Sequence, residues 1–307
     1  MANFDITQIK GVIPAMLTFF DEKEEVDETR TRNMTEFLIH AGVNGLYLTG
    51  STGACFTMTA EERCKVVDIV VDQVVGRIPV IVHVGDIGTK KSIELAKHAE
   101  KAGADAISSV PPFYWKFNGD SIYHYYKDIA QATSLPMIVY NIQLAGIMDK
   151  NQLLRLAEIP NVKGMKYTAR THDEMGALKR TLGKDFMIYS GCDEMAFSGL
   201  SFGADGIIGS FYNVIPELYL NLYQATIAGE TAKAIELQAI ADDFIFAALE
   251  YDFIAAFYNM LSWRGIDAGR CRRPFHTYDD SQLEGLKAKI REIQERTQCP
   301  TLGMFEV

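Results

Sequence analysis

The feature that most constrains this chain is a series of short apolar runs rich in Val, Ile and Tyr, each separated from the next by a helical pattern. The runs are GVIPAMLTFF (11–20), NGLYLTG (44–50), IPVIVHVG (78–85), ADAISSVP (104–111), LPMIVYNI (135–142), VKGMKYT (162–168), DFMIYSG (185–191) and DGIIGS (205–210), eight in all. Several are almost continuously hydrophobic, as parallel strands covered on both faces require. Between them, Thr59 and Glu62 form the T-x-x-E pattern of a capping box. Val66, Val67, Val70, Val71 and Val74 follow at helix spacing. The spacing also predicts helices over 89–102 and 119–133. One junction recurs: HAGVNGLYL, KAGADAISS and SFGADGIIG place Gly42, Gly103 and Gly203 where a helix closes left-handed, shortly before a strand. The period is irregular, so the unit is reused rather than stacked as a solenoid.

Eight strands alternating with helices over about 210 residues predict an α/β fold, a (β/α)8 TIM barrel spanning residues 1–216. From about 217 to 297 only helical patterns remain, so residues 217–307 form a helical C-terminal extension packed on the barrel. Its last helix starts at Ser281–Glu284, a second capping-box pattern, with Leu283, Leu286, Ile290 and Ile293 on one face. An open doubly wound sheet is the alternative, and it is disfavoured because no GxGxxG follows the first strand.

An apolar fraction of 48% is ample for a core, and 23% charged residues is ordinary for a globular chain. The net charge of −10 excludes a basic stripe for nucleic acid or anionic membrane. The five cysteines are odd in number and form no CxxC pair, which points to free thiols in a reducing compartment. The opening MANFDITQIK lacks the basic-then-apolar order of a leader, and no apolar run approaches about 20 residues. A cytoplasmic location is expected.

In a barrel of this kind the chemistry sits at the C-terminal ends of the strands. Gly50-Ser51-Thr52-Gly53, Tyr140, Lys166, Thr168, Asp193, Glu194 and Ser210 all fall there. Alternation along GMKYT sends Lys166 and Thr168 to one face and Met165 and Tyr167 to the other. Lys166 is either paired or snorkelling at the rim, or an amine kept neutral by apolar surroundings that can add to a ketone as a Schiff base. Gly164 on the same face leaves room for such an adduct. Tyr140 is either a core aromatic or a phenol that passes protons to a substrate hydroxyl. The GSTG turn can grip a carboxylate or phosphate through its backbone N–H groups, or be an ordinary hydroxyl-stabilised turn. Asp193 and Glu194 either favour the next helix N-terminus or accept hydrogen bonds from sugar hydroxyls.

With these motifs in this order, the chain resembles the N-acetylneuraminate lyase/dihydrodipicolinate synthase family of class I, pyruvate-dependent aldolases. The resemblance runs from GVIPAMLTFF to the CRRPF segment (271–275). The family's GxTGE loop appears as GSTGA (50–54), its Y-N as VYNI (139–142), and its Schiff-base lysine pattern G-x-K-x-[ST] as Gly164 to Thr168. HVG (83–85), KYT (166–168), GCDE (191–194) and GADGIIGSFYN (203–213) are similar to the lyase branch. The resemblance implies that Lys166 forms the imine with a 2-keto acid and that Ser51 and Thr52 hold its carboxylate. Tyr140 would relay the proton of the C4 hydroxyl. Thr168, Gly191, Asp193, Glu194 and Ser210 would bind the sugar.

The implied reaction is reversible cleavage of N-acetylneuraminate to N-acetylmannosamine and pyruvate. It needs no metal or organic cofactor, and no His or Cys cluster has metal-ligand spacing. The implied assembly is a homotetramer, with Tyr114 of PPFYW as the nearest match to a tyrosine that enters a neighbouring subunit's site. Two departures concern specificity. Ala54 stands where the family's loop usually has Glu, and Gln143 follows Tyr140 where the lyase branch usually has Pro. The stretch QLAGIMDK (143–150) lacks the arginine of the synthase branch. Other 2-keto-3-deoxy sugar acid aldolases, the synthase itself, or a non-catalytic ligand-binding relative are the alternatives.

Overall fold

The computed structural model describes residues 3–299 and Phe305. Eight strands, β1 (Gly11–Pro14), β2 (Leu46–Leu48), β3 (Val80–His83), β4 (Ala106–Ser109), β5 (Met137–Ile142), β6 (Val162–Thr168), β7 (Met187–Ser190) and β8 (Gly206–Gly209), lie in one parallel sheet. Their order is β1-β8-β7-β6-β5-β4-β3-β2. An isolated parallel bridge between Ala15 and Tyr47 brings the two ends together, with the Met16 N–H donating to the Tyr47 carbonyl at 2.9 Å. The expected barrel is present. β6 fills its apolar run and β5 ends with its own; the other six strands are shorter than their runs, which continue into the loop at the barrel mouth.

The helices that follow the strands are α1 (Glu28–Ala41), α2 (Ala60–Val74), α3 (Thr89–Ala102), α4 (Gly119–Gln131), α5 (Lys150–Ala157), α6 (His172–Leu182), α7 (Ala196–Ser201) and α8 (Pro216–Ile227). The chain then adds α9 (Thr231–Ala248), α10 (Phe253–Trp263) and α11 (Glu284–Thr297). α8 lies against β1 and α1, and α9 packs on α8 and α11. Among the described residues no single helix is long and apolar enough to cross a membrane. α9 and α10 meet that test only as a pair bent by 113°.

Two apolar layers result. Side chains such as Ile13, Ile81, Ile138, Met187 and Ile208 fill the barrel interior, while the larger layer lies between sheet and helices. The Tyr189 hydroxyl donates to the Ile9 carbonyl at 2.9 Å and seals the floor with the N-terminal segment.

The recurring junction has a physical purpose. Gly42, Gly103 and Gly203 take φ of 92°, 98° and 99°. Two residues later, Asn44, Asp105 and Asp205 each exchange a reciprocal pair of hydrogen bonds with the base of a strand. The backbone N–H groups of Val12, Val80 and Ile188 donate to their side-chain oxygens at 2.8, 2.9 and 2.9 Å. Their own N–H groups return to the carbonyls of the same three residues. Each of these N–H groups lies near the base of its strand, and the side chain supplies its acceptor.

Two expectations change. The Thr59–Glu62 capping box forms as read. The one at Ser281–Glu284 does not; Asp279 and Gln282 make the reciprocal pair instead, and a 3-10 turn from Asp280 to Leu283 precedes α11. An aspartate two residues upstream is an equally good cap, and pattern alone did not separate them. The stretch 264–279 is also not helical. It carries Arg272, whose guanidinium pairs with Glu62 and covers the Phe20 ring at 4.4 Å.

Asp105 is 2% exposed and also accepts from the N–H groups of Asn3 and Phe4. Asp105→Ala therefore leaves the Val80 N–H buried and unpaired. It should lower stability by about 1–3 kcal/mol in denaturant unfolding, with Asp105→Asn recovering only part of the loss, because its single amide oxygen can replace only one of the two acceptor oxygens.

Candidate active site

The parallel register places Tyr140 beside Lys166, and Lys166 beside Tyr189. What turns Lys166 inward is an irregularity lower in the same strand. Met137 pairs with Val162, but the next residue, Ile138, pairs with Gly164, so Lys163 is skipped as a bulge. Val162 and Met165 both face the helices although they are three residues apart. Exposed Lys163 absorbs the extra residue, and from Gly164 onward the even-numbered positions face the barrel interior. Without the bulge, alternation from Val162 would send Lys166 to the helical layer.

Lys166 is 4% exposed, and its Nζ donates to the Tyr140 hydroxyl at 3.1 Å. The same nitrogen lies 4.2 Å from the Tyr140 ring centroid and 4.7 Å from that of Tyr47. Among the described residues no carboxylate pairs with it. The lysine is thus neither ion-paired nor at the solvent rim; a phenol oxygen and two ring faces meet it. Tyr140 packs edge-on against Tyr47 and His83, at centroid distances of 6.0 and 6.2 Å.

His83 is locked as a neutral imidazole. Its Nδ1 donates to the Thr49 carbonyl at 3.0 Å, and its Nε2 accepts from the Val110 N–H at 3.3 Å. Burial, together with the nearby Arg63 charge, pushes its pKa well below the usual value. Arg63 is itself buried and donates to the carbonyls of His83 and Gly85 at 2.7 and 3.0 Å. Tyr47, His83 and Arg63 were not singled out from sequence. The period-2 alternation through NGLYLTG and VIVHV was the signal available for the first two.

The GSTGA loop bends through a left-handed Ala54, φ 52°. Among the described residues the backbone N–H groups of Ser51, Thr52 and Gly53 donate to no protein acceptor. Thr52 Oγ1 and Ser210 Oγ share a hydrogen bond of 2.7 Å, so the loops after β2 and β8 are joined across the mouth. Ser51 and Ala54 border an apolar cavity of about 220 Å³ whose far side is Ile142, Leu144 and Ala145.

On the other side of Lys166, Thr168 Oγ1 is buried without a hydrogen-bond partner. Gly191 lies over it: an added Cβ there would sit 1.9 Å from Thr168 Oγ1 and 3.1 Å from Lys166 Cε. Glycine is therefore required so that β7 can leave the strand past these two side chains. Gly164 has a different purpose from the one expected. A Cβ there would meet the Met187 carbonyl oxygen at 2.7 Å, so its smallness serves the approach of β7 rather than room for an adduct. Glu194 is half-buried at the rim, 3.9 Å from the exposed Arg170. Tyr114 is 83% exposed at φ 79°, with its ring against Trp115, away from the lysine cluster of its own chain.

Residues 8–293 match the dihydrodipicolinate synthetase family. The chain belongs to that family. It is 36% identical over 291 residues to an N-acetylneuraminate lyase of Salmonella typhi, covering 94% of this chain and 98% of the relative. Among solved structures it is similar to a Ruminococcus gnavus sialic acid aldolase, with a TM-score of 0.90, 31% identity, and 95% and 99% of the two chains covered. A Bacillus anthracis dihydrodipicolinate synthase is also similar, with a TM-score of 0.88, 28% identity, and coverage of 92% and 98%. As a member of this family the protein is a carbon–carbon lyase of the aldolase type.

Asp193 is buried at the rim. It is 8% exposed, and its Oδ2 accepts from the N–H groups of Ser210 and Phe211, both at 2.8 Å. It thus ties the end of β7 to the end of β8 and does not sit at the N-terminus of α7. Burial, aided by the Glu194 charge and opposed by the two N–H donors, pushes its carboxyl up from 3.8 to about 7. The folded chain then holds this proton more tightly than the unfolded one. The stability from this group is full below about pH 4 and drains away as pH rises towards 7. Asp193→Asn should flatten that slope: between pH 5 and 8 its melting temperature should fall less than the wild type's. The difference corresponds to on the order of a few kcal/mol.

Proposed function

We propose that this aldolase is an N-acetylneuraminate lyase that works through a Schiff base on Lys166. The observation that carries the reading is the Lys166 amine, buried at the barrel mouth, unpaired by any described carboxylate, 3.1 Å from a phenol. The open-chain substrate presents its C2 ketone to Nζ. Addition and loss of water give an iminium. Tyr140 accepts the C4 hydroxyl proton as it passes its own phenolic proton to the ketoacid carboxylate, the C3–C4 bond breaks, and its electron pair moves into the iminium as an enamine. N-acetylmannosamine leaves as the aldehyde. Protonation of the enamine at C3 and hydrolysis of the imine release pyruvate and restore the amine.

The unengaged N–H groups of the Ser51–Gly53 turn suit the ketoacid carboxylate. Thr168 Oγ1, Asp193, Glu194 and Ser210 ring the opposite side of the mouth, where a polyhydroxylated tail would find donors and acceptors. The Salmonella relatives named N-acetylneuraminate lyase support this choice of substrate. The synthase reading is favoured by the likeness to the Bacillus anthracis enzyme. It is weakened by QLAGIMDK (143–150), which lacks the arginine that binds a second carboxylate in the synthase branch.

A homotetramer goes with the lyase reading, because Tyr114, Trp115 and Leu144 leave large apolar surface exposed beside the mouth. A cytoplasmic setting goes with five unpaired cysteines.

A pyruvate-release assay with N-acetylneuraminate should be positive, and with aspartate semialdehyde plus pyruvate the synthase assay should be negative; the reverse result would refute the lyase. Borohydride with pyruvate should add a stable mass on the wild type and none on Lys166→Ala. Tyr140→Phe should still trap pyruvate yet turn over roughly 10²–10⁴-fold more slowly. Unchanged turnover would remove its proton relay.

A further inference from the structure

The turn between β7 and α7 carries both acidic residues of the mouth, and a helix from outside the barrel ring reaches into it. Gln238 on α9 is 9% exposed. Its Nε2 donates to the Asp193 carbonyl at 3.1 Å and to Asp242 Oδ1 at 2.8 Å. Its Oε1 accepts from the Phe197 N–H at 2.9 Å. One amide therefore grips both ends of the 193–197 segment, with Glu194 between its two anchor points. The Phe197 N–H belongs to the first turn of α7, where backbone donors lack partners within the helix. Tyr219 on α8 adds a second donor to the same Asp193 carbonyl at 3.2 Å.

The chemistry of the clamp requires a neutral amide. Two acceptors, the Asp193 carbonyl and the Asp242 carboxylate, face Nε2, and one donor, the Phe197 N–H, faces Oε1. An ionised carboxylate in its place would have no proton to give to either acceptor and would stand against Asp242. A protonated carboxyl would restore one donor and keep one acceptor.

We infer that Gln238 is a positioning residue for the aldehyde-derived half of the substrate: by holding the 193–197 segment from α9 it sets where Glu194 and Asp193 meet that half, without touching Lys166. The inference rests on the lyase reading of the site. It gives the helical extension a part in specificity.

The test uses the full-length chain, with Gln238→Leu and Gln238→Glu, read by steady-state cleavage of N-acetylneuraminate and by borohydride trapping of pyruvate. For Gln238→Leu, KM for N-acetylneuraminate should rise about tenfold while kcat and pyruvate trapping stay near wild type. For Gln238→Glu, the KM defect relative to wild type at the same pH should be large at pH 8 and shrink towards pH 6, where the introduced carboxyl takes up a proton together with its neighbours Asp242, pushed up by burial to about 6, and Asp193, pushed up to about 7. KM unchanged in both variants overturns the inference. So does an unchanged KM for Gln238→Glu at pH 8, which also decides the matter should Gln238→Leu fail to fold. A wild type that traps pyruvate but cleaves no N-acetylneuraminate overturns the lyase reading, and this inference with it. A wild type that cleaves it with both variants unaffected overturns this inference alone.

Discussion

The placement of one amine depends on strand register. Lys166 faces the barrel interior because β6 carries a single extra residue at Lys163, which resets the alternation between Val162 and Gly164. From there, parallel pairing sets Lys166 level with Tyr140 on one side and Tyr189 on the other. A slip of one position would exchange the lysine for Met165 or Tyr167 and bury a charged group among the helices. Several features hold the register. Gly164 lets the Met187 carbonyl approach, and Asp205 ties the base of β7 to the base of β8 through the Ile188 N–H.

The mouth above this layer is built from segments remote in sequence, joined by side chain to backbone bonds. Asn213 accepts from the Leu17 N–H and donates to the Ala15 carbonyl, while Asp193 collects the N–H groups of Ser210 and Phe211. Thr52 and Ser210 close the ring. Several residues that sequence reading assigns to substrate therefore also hold one another in place. The interior beneath them is a tyrosine-lined box: Tyr47 and Tyr140 face Lys166, and a neutral His83 stands behind, held by the Arg63-anchored β3 end. Among the described residues such surroundings offer the amine no competing carboxylate.

Much of this was legible from the chain. The eight apolar runs located every strand, and Gly42, Gly103 and Gly203 marked real helix ends. The inward face of GMKYT was read correctly, although the bulge that produces it was not. A run such as VKGMKYT looks the same with or without a skipped residue, because a bulge is a property of the pairing and not of one strand. Ser281–Glu284 misled because two capping patterns overlapped by two residues, and the chain caps with Asp279 and Gln282. Arg63 and Gln238 were invisible as site residues, since each reads locally as an ordinary helix position, and Tyr47 and His83 were signalled only by strand alternation.

By itself the sequence determined the alternation of strand and helix, because hydrophobic periodicity and glycine helix ends are local physics; closure of the sheet rests on the Ala15–Tyr47 bridge between its ends. It also determined which polar residues stand at strand C-termini. Only the tertiary structure decided that Lys166 meets Tyr140 and no described carboxylate, that Asp193 is turned towards the β8 backbone, and that α9 reaches the mouth through Gln238. Those facts depend on register and on contacts between segments up to hundreds of residues apart, and local propensity carries no information about either.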